Sequence, residues 1–386
     1  MMRLFLNGAA ASAGGGLTYL RNVIPQLSRQ KDVVATVAVD AEYREQLPQP
    51  DNVSFVEASG RLGAGMRFLW EQSSLRAQIK AARADVLLSA GNFALWRSPV
   101  PQVLLSGNCL YLSRDFSADL RERHEYGMLT GHYIRGSFAK RSIRWADCTV
   151  APSFSFADDL RRWTGAKSIQ TIHHGFDHEA FFQNQTPLPG QIQTKLDSCG
   201  NAIRLLFVSP YNYYRNFETL FRALPLIRNL TGRDTKLFLT CRLQPGENPG
   251  SYNVDRALSL VRELGIGGDI IQLGPIPNHL LHHVYRSCHL YVTASYAETF
   301  AHPVVEAMAC GLPIVASDIA VHREICGQAG VYFECFAPEK LAQRVATVIG
   351  GAGQLEQMSK AAKMRSLDFS WQRHTEVLLT VLSSPH

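Results

Sequence analysis

The chain lacks the patterns on which several large function classes depend. Its eight cysteines, at 109, 148, 199, 241, 288, 310, 326 and 335, form no Cys-x-x-Cys pair, and the closest two stand nine residues apart. That scatter excludes a disulfide frame or a cysteine zinc site and reads as reduced thiols. No Gly-x4-Gly-Lys-Ser/Thr run occurs, which excludes a Walker phosphate loop, and no Gly-x-Ser-x-Gly marks a hydrolase nucleophile. His-Glu-x-x-His and Asp-x-Asp are also missing, so neither a zinc-protease helix nor the usual carboxylate grip on a metal-bound nucleotide is evident. No apolar run approaches the roughly 18 residues of a membrane span. The opening run Met1–Leu6 is too short for a signal peptide and suits a first strand, so cytoplasm is the expected compartment. Charge of one sign is scarce too: 39 Lys and Arg against 33 Asp and Glu give +6. That excess is too small to imply nucleic acid, yet it is compatible with anionic ligands or an anionic membrane surface.

What is present is a globular composition, 46% hydrophobic and 19% charged over 386 residues, enough for two ordinary domains. Short runs of Val, Ile, Leu and Phe alternate with amphipathic stretches. Six candidate strands fall in the first half: Arg3–Leu6, Val33–Val39, Asp85–Leu88, Val103–Leu105, Asp147–Val150 and Ser168–Ile172. Six more fall in the second: Arg204–Val208, Lys236–Thr240, Asp269–Leu273, Leu290–Thr293, Pro313–Ala316 and Gly330–Phe333. Continuously apolar strands between helices indicate parallel sheets covered on both faces. The expected fold class is α/β, with Rossmann-like domains at 1–185 and 203–368 facing a central cleft and a Pro/Gly-bearing linker at 186–202. Residues 369–386 are expected to form a terminal helix packing back on the first domain.

Parallel sheets place ligands beyond the carboxyl ends of their strands. After the first strand, Gly14, Gly15 and Gly16 open a helix bearing Leu17, Leu20, Ile24 and Leu27, and such a loop lets backbone N–H groups approach an anion. A dinucleotide fingerprint would need a third glycine where Tyr19 stands. Ser209 and Arg215 follow the first strand of the second half, with Arg215 at a helix start suited to phosphate. Glu298 follows a later strand, and Glu306 lies on the next helix, with Pro303 suited to its first turn and Gly311 to its end. Carboxylates accept from sugar hydroxyls and a helix N-terminus holds phosphate, so a sugar nucleotide matches both. The plainer alternative is that Glu306 complements the helix dipole and Glu298 is solvated. His279, His282, His283 and His289 read as a solvated helix face, not a metal site. Arg61, Arg67, Arg76, Lys80 and Arg83 around Phe68-Leu69-Trp70, with Arg135, Lys140, Arg141 and Arg144, fit ordinary helix faces or a peripheral contact with anionic membrane.

Glu298-x7-Glu306 with Pro303, and the run Glu306–Ser317 reading Glu-Ala-Met-Ala-Cys-Gly-Leu-Pro-Ile-Val-Ala-Ser, resemble the nucleotide-sugar signature of the retaining glycosyltransferases of family four, which have the GT-B fold. The likeness extends to Gly14–Gly16, to His174-Gly175-Phe176-Asp177 with Phe181, to Arg215-Asn216 and to Phe369-Ser370-Trp371, so it covers nearly the whole chain. It implies that Glu298 contacts the donor sugar, Glu306 the ribose and Arg215 the diphosphate, with Glu298 and Arg215 carrying the catalysis. Thr299, Phe300 and Ala301 replace the family's Gly-Phe-Gly, Pro210 stands where an Arg often does, and Asn108 takes the place of a first-domain His. Arg242 is a candidate for the missing cation. Gly14, Gly15, Gly16, Asn108 and His174 would face the acceptor.

The resemblance thus implies a hexosyltransferase moving sugar from a nucleoside diphosphate to a glycan or lipid-linked acceptor, with retention, in cell-surface polysaccharide synthesis. With no Asp-x-Asp and no histidine-rich ligand set, no metal is expected, and no cofactor beyond the sugar-nucleotide co-substrate. A sugar-nucleotide epimerase of the same fold and a two-lobed small-molecule binding protein remain alternatives.

Overall fold

The computed structural model describes residues 1–11, 15–58, 64–248, 250 and 252–384. The chain divides into two compact units, Met1–Gly175 with Ser370–His386, and Phe176–Phe369.

The first unit holds β1 (Met2–Asn7), β2 (Val33–Val39), β3 (Val53–Glu57), β4 (Val86–Ser89), β5 (Gln102–Leu105), β6 (Cys148–Ala151) and β7 (Ile169–Thr171). These pair in parallel in the order β3-β2-β1-β4-β5-β6-β7. Every residue of β4 and β6 is buried, as strands covered on both faces require. The helix Gly15–Ser28 buries Leu17, Leu20, Ile24 and Leu27, with Tyr19 and Val23 on the same face. β3 is the strand that the apolar-run pattern does not anticipate. It lies at the sheet edge, and only Val53 of its five residues is buried, so its sequence carries little of the continuous apolar signal.

The terminal helix Trp371–Ser383 starts at Ser370, whose Oγ accepts the N–H of Arg373 at 3.4 Å. Its Trp371, Leu378, Val381 and Leu382 share one core cluster with Leu17, Leu20 and Ile24. A Cβ on Gly175 would lie 2.1 Å from the Trp371 nitrogen, so only glycine fits there.

The second unit holds β8 (Ile203–Phe207), β9 (Thr235–Leu239), β10 (Ile270–Gln272), β11 (Leu290–Thr293), β12 (Ile314–Ser317) and β13 (Gly330–Phe333). They too are parallel, ordered β10-β9-β8-β11-β12-β13. The helix Phe217–Thr231 buries Phe217, Leu220, Phe221, Leu224 and Ile227 and stops at Gly232, which takes φ 64°. Residues 186–202, where the composition points to a linker, lie within this unit, and Gly190–Asp197 among them is helical. The histidine group is also not one solvated face. His279 and His289 are exposed, but His282 is fully buried, because the short helix His178–Gln183 brings Phe181 and Phe182 against it at ring distances of 5.9 and 5.8 Å. A neighbouring helix supplied from a distant segment leaves no mark on the local pattern.

Strand order turns back between β1 and β4 in the first unit and between β8 and β11 in the second. At such points the loops leaving the two strands diverge and open a crevice beyond their carboxyl ends.

Candidate active site

Beyond β8 the chain passes Ser209 and makes a short 3-10 turn, Tyr213–Arg215. Tyr211 and Tyr213 are buried and fasten this loop, and the Tyr213 hydroxyl accepts the N–H of Asn253 at 2.8 Å. Asn216 follows in the left-handed conformation, φ 52°, and its side chain caps the helix Phe217–Thr231 by accepting from Thr219 N. The loop after β11 joins this one, for the Tyr296 N–H donates to the Tyr214 carbonyl at 3.0 Å. Arg215 reaches across the switch point. It forms an ion pair with Glu298 and donates to Ser295 Oγ at 3.3 Å. The two side chains are 16% and 8% exposed. Glu298 is therefore a buried carboxylate, not a solvated one. The buried Arg215 Nε has no hydrogen-bond partner, which leaves a cationic donor for an anion.

Helix His302–Ala309 begins beside Glu298. Ala301 occupies its cap position at φ 64° and no side chain caps it, so no capping group answers the positive end of the helix dipole; Pro303 brings no N–H, and that of Val304 donates to the Ala301 carbonyl at 3.0 Å. Glu306 sits further along this helix. Tyr285 Oη donates to Oε2 at 2.8 Å and Asn278 Nδ2 to Oε1 at 3.5 Å, both from the helix Asn278–Arg286. Burial pushes the Glu306 carboxyl up to about 7, against the pull of these two hydrogen bonds. Such a carboxylate gains from any further hydroxyl that donates to it, as a ribose diol does.

The remaining residues of this half are placed as follows. Ser209 is buried, its N–H donating to Thr240 Oγ1 at 3.1 Å and its hydroxyl to the Pro210 carbonyl at 2.7 Å. Thr299 is half-buried. Phe300 is buried with its ring 5.4 Å from that of Phe369, so its side chain anchors the loop from below. Arg242, beyond β9, is half exposed and pairs with Glu247 at 3.2 Å.

In the first unit, Gly14 lies outside the described residues. Gly15 is the first residue of its helix, and a Cβ there would meet nothing within 4 Å, whereas one on Gly16 would come within 3.1 Å of Ala11 Cα. Asn108, beyond β5, caps a short turn by accepting from Leu110 N–H at 3.0 Å. His174 stacks on Trp371 at 5.6 Å and lies 5.7 Å from the Tyr19 ring, so it joins the helix that the glycines open. The Tyr19 hydroxyl bonds His374 Nε2 at 3.0 Å, and burial lowers His374 to about 4, so this ring is neutral.

Sequence reasoning missed Asn278 and Tyr285, and placed Ser295 only as a residue just beyond a strand end. Tyr285 has a helical spacing from Leu281 that reads as plain core, and Ser295 is a small polar residue in a loop. Only the pairing of helices and strands shows that these residues hold Glu306 and Arg215. Among the described residues no group of three or more His, Cys, Asp or Glu is placed to hold a metal ion.

Comparison with known proteins matches both halves. Residues 13–180 match the family described as Glycosyltransferase Family 4, and residues 191–365 that described as Glycosyl transferases group 1. A D-inositol 3-phosphate glycosyltransferase of Catenulispora acidiphila is 27% identical over 63% of this chain and 58% of its own length. One from Gordonia bronchialis is 26% identical over 62% of this chain and 52% of its own. The chain thus spans little more than half the length of these curated relatives. Among solved structures, sucrose-phosphate synthase from Thermosynechococcus elongatus aligns with TM-score 0.79 at 16% identity, covering 100% of this chain and 99% of that one. HepE of Anabaena, solved with UDP-glucose, aligns with TM-score 0.72 at 18% identity over the full length of both. At such identities these two likenesses speak for the fold.

Proposed function

The chain belongs to the family-four glycosyltransferases of GT-B fold, and from that premise we propose that it moves a sugar from a nucleoside diphosphate to an acceptor hydroxyl with retention at the anomeric carbon. The observation that carries this reading is Arg215 and Glu298, buried and paired at the switch point beside an uncapped helix N-terminus.

The hard step breaks the bond between the anomeric carbon and the diphosphate oxygen, whose electron pair leaves with the phosphate. Arg215 and the positive dipole end of helix His302–Ala309 stabilise charge where it develops. When the diphosphate takes Arg215, Glu298 is released to accept from the sugar hydroxyls, while Glu306 accepts from the ribose. The acceptor oxygen bonds to the anomeric carbon, and its proton passes to the leaving phosphate, so no separate base is required. In this reading Arg215 and the helix neutralise the diphosphate, and turnover survives EDTA. A strict need for Mg²⁺ or Mn²⁺ would count against that part.

The acceptor is a polyhydroxylated molecule bound by the first unit. It is a glycan or lipid-linked sugar of surface polysaccharide synthesis, or a phosphorylated polyol of the kind for which the curated relatives are named. Peripheral membrane contact fits the first unit. There the helices Ala64–Ala81 and Tyr126–Trp145 expose Leu69, Ile134 and Phe138 beside Arg135 and Arg141, and Phe68 touches Phe138 at 5.5 Å. Among the described residues no helix is long and apolar enough to cross a membrane. Vesicles of anionic lipid should retain the protein where zwitterionic ones do not.

The deciding experiment is thermal shift with UDP, GDP, dTDP and ADP, followed by turnover of the matching donor with and without acceptors. A ligand that binds only the folded state raises its apparent stability. No shift with any nucleotide would defeat the reading, and donor conversion without a transfer product would favour the epimerase.

A further inference from the structure

We propose that His322 is a positioning residue for Arg215, acting through a hydrogen-bonded chain His322–Ser317–Ser295–Arg215 that crosses three neighbouring strands. The inference rests on reading Arg215 as the diphosphate cation.

His322 lies on the helix Ala320–Cys326 and is fully buried. Its Nδ1 is 2.9 Å from the Ser317 carbonyl and 3.1 Å from Ser317 Oγ. A carbonyl can only accept, so Nδ1 carries the proton and Nε2 is the bare nitrogen. That Nε2 is buried and has no hydrogen-bond partner. A charged ring would bury a second N–H beside Arg215, and burial followed by that nearby charge lowers the imidazole to about 4. The ring is therefore a neutral, one-sided donor.

The directions of the next two links, Ser317 to Ser295 and Arg215 to Ser295, are fixed by their acceptors and donors. Ser317 Oγ donates its proton to the Ser295 carbonyl, so its lone pairs face His322. Ser295 Oγ accepts from Arg215 Nη1 at 3.3 Å and shares a further hydrogen bond with Thr293 Oγ1 at 3.1 Å. Ser317 ends β12, Ser295 follows β11 and Arg215 is carried beyond β8, which are neighbours in the sheet. His322 thus sets the Ser317 rotor, Ser317 sets the Ser295 backbone, and Ser295 sets the guanidinium. Packing alone would be met by leucine, which has no acceptor to leave buried without a partner. A neutral ring also fixes the chain without adding repulsion next to a cation that must meet phosphate.

The test compares His322→Asn, whose amide N–H can replace Nδ1–H, with His322→Leu, which keeps volume alone, and with Ser317→Ala. Calorimetry gives the affinity ratio of nucleoside diphosphate to nucleoside, using the base the wild type binds, and donor turnover gives kcat. His322→Leu and Ser317→Ala should each lower the ratio and kcat by about tenfold with nucleoside affinity unchanged, a tenfold step being about 1.4 kcal/mol. His322→Asn should keep most of both. A purely structural role would lower melting temperature without moving the ratio. The proposal is overturned if folded His322→Leu keeps the wild-type ratio and kcat, or if Asn is as impaired as Leu. Should His322→Leu not fold, Ser317→Ala decides alone, since it removes one oxygen, and an unchanged ratio overturns the proposal. A wild type with no preference for the diphosphate would defeat the reading of Arg215 and this inference with it. A wild type that shows the preference, with variants that keep it, would defeat this inference alone.

Discussion

In the first unit the groups placed where β1 and β4 part include an amide, a carboxylate and small residues. Asn7 donates to the buried Glu71 at 3.5 Å, Ala9 and Ala11 are buried beside it, and a Cβ on Gly91 would lie 2.6 Å from Ala10 Cβ. In the second unit the crevice between β8 and β11 holds the Arg215–Glu298 pair. Both sheets turn back in the same way, so topology alone does not set the chemistry. The difference lies in what the loops carry. Amides and carboxylates suit hydroxyl groups, whereas a buried guanidinium with an unused Nε–H suits phosphate. The donor and acceptor sites proposed above differ in just this way.

The largest break in that comparison should come from Arg215→Ala. Removing a preorganised charge that acts where the leaving group develops its own should cost about 10²–10³ in turnover. It also strands a buried carboxylate, which destabilises by about 3–5 kcal/mol. The double variant Arg215→Met, Glu298→Gln removes both charges, so its melting temperature should recover while turnover does not. If turnover recovers too, Arg215 serves stability and not chemistry.

Next comes Glu306→Gln, which should weaken nucleoside binding by about 1.5–3 kcal/mol, the range for a hydrogen bond to a charged group. The folded carboxyl titrates near 7, above its ordinary value of 4.5. The folded protein therefore holds this proton through a window where the unfolded chain has lost it. That stability is fully present below about 4.5 and is lost as pH rises through about 7. Ribose hydroxyls favour the ionised form, so nucleoside affinity should run the other way and climb with pH up to about 7. A nucleoside is the right probe because phosphate would titrate in the same range. An equal pH slope in the Gln variant would remove Glu306 from the ribose.

These two variants also mark how far the sequence could be read. Arg215, Glu298 and Glu306 are singled out by type and spacing, and the fold brings the first two into contact. The groups that hold them are another matter. Tyr285 and Asn278 meet Glu306 because two helices pack together, and Ser317 meets Ser295 because β12 lies beside β11. Tyr285 and Asn278 look like ordinary core or surface residues one at a time, while Ser295 and Ser317 are marked only by standing at strand ends, so what each of them holds depends on tertiary pairing. The strands divide in the same way. β2, β11 and β13 fall on the ranges their apolar runs mark, while β3, an edge strand only partly covered, does not announce itself.

In the first unit the corresponding probe is Gly15→Trp. Space around that position is open, so the fold should tolerate the indole. A bulky group at this helix start, in the unit proposed to bind the acceptor, should cut transfer by tenfold or more, since a displacement of about 1 Å can cost 10². Nucleotide affinity, which the proposal assigns to the second unit, should stay as it was. Loss of nucleotide affinity with transfer otherwise intact would assign the two ligands to the wrong units.

The smallest effect is expected from Ala301→Gly, and it tests whether the second unit tolerates strain beside its charged pair. Ala301 has φ 64° and ψ 60° at the start of helix His302–Ala309, in the place where the family signature usually has glycine. A left-handed L-residue costs roughly 1–2 kcal/mol, which glycine avoids. Glycine in turn frees the unfolded chain, which offsets about 0.4–1 kcal/mol of that gain. It also gives up a buried methyl, for Ala301 is 5% exposed. The terms nearly cancel, so the variant should melt within a few degrees of the wild type, while Ala301→Val, β-branched at the same φ, should melt well below both. Parallel melting curves of the three proteins decide it. If Val is tolerated as well as Gly, the backbone is not held left-handed at this helix start, and the uncapped dipole end assigned to the diphosphate loses its geometric basis.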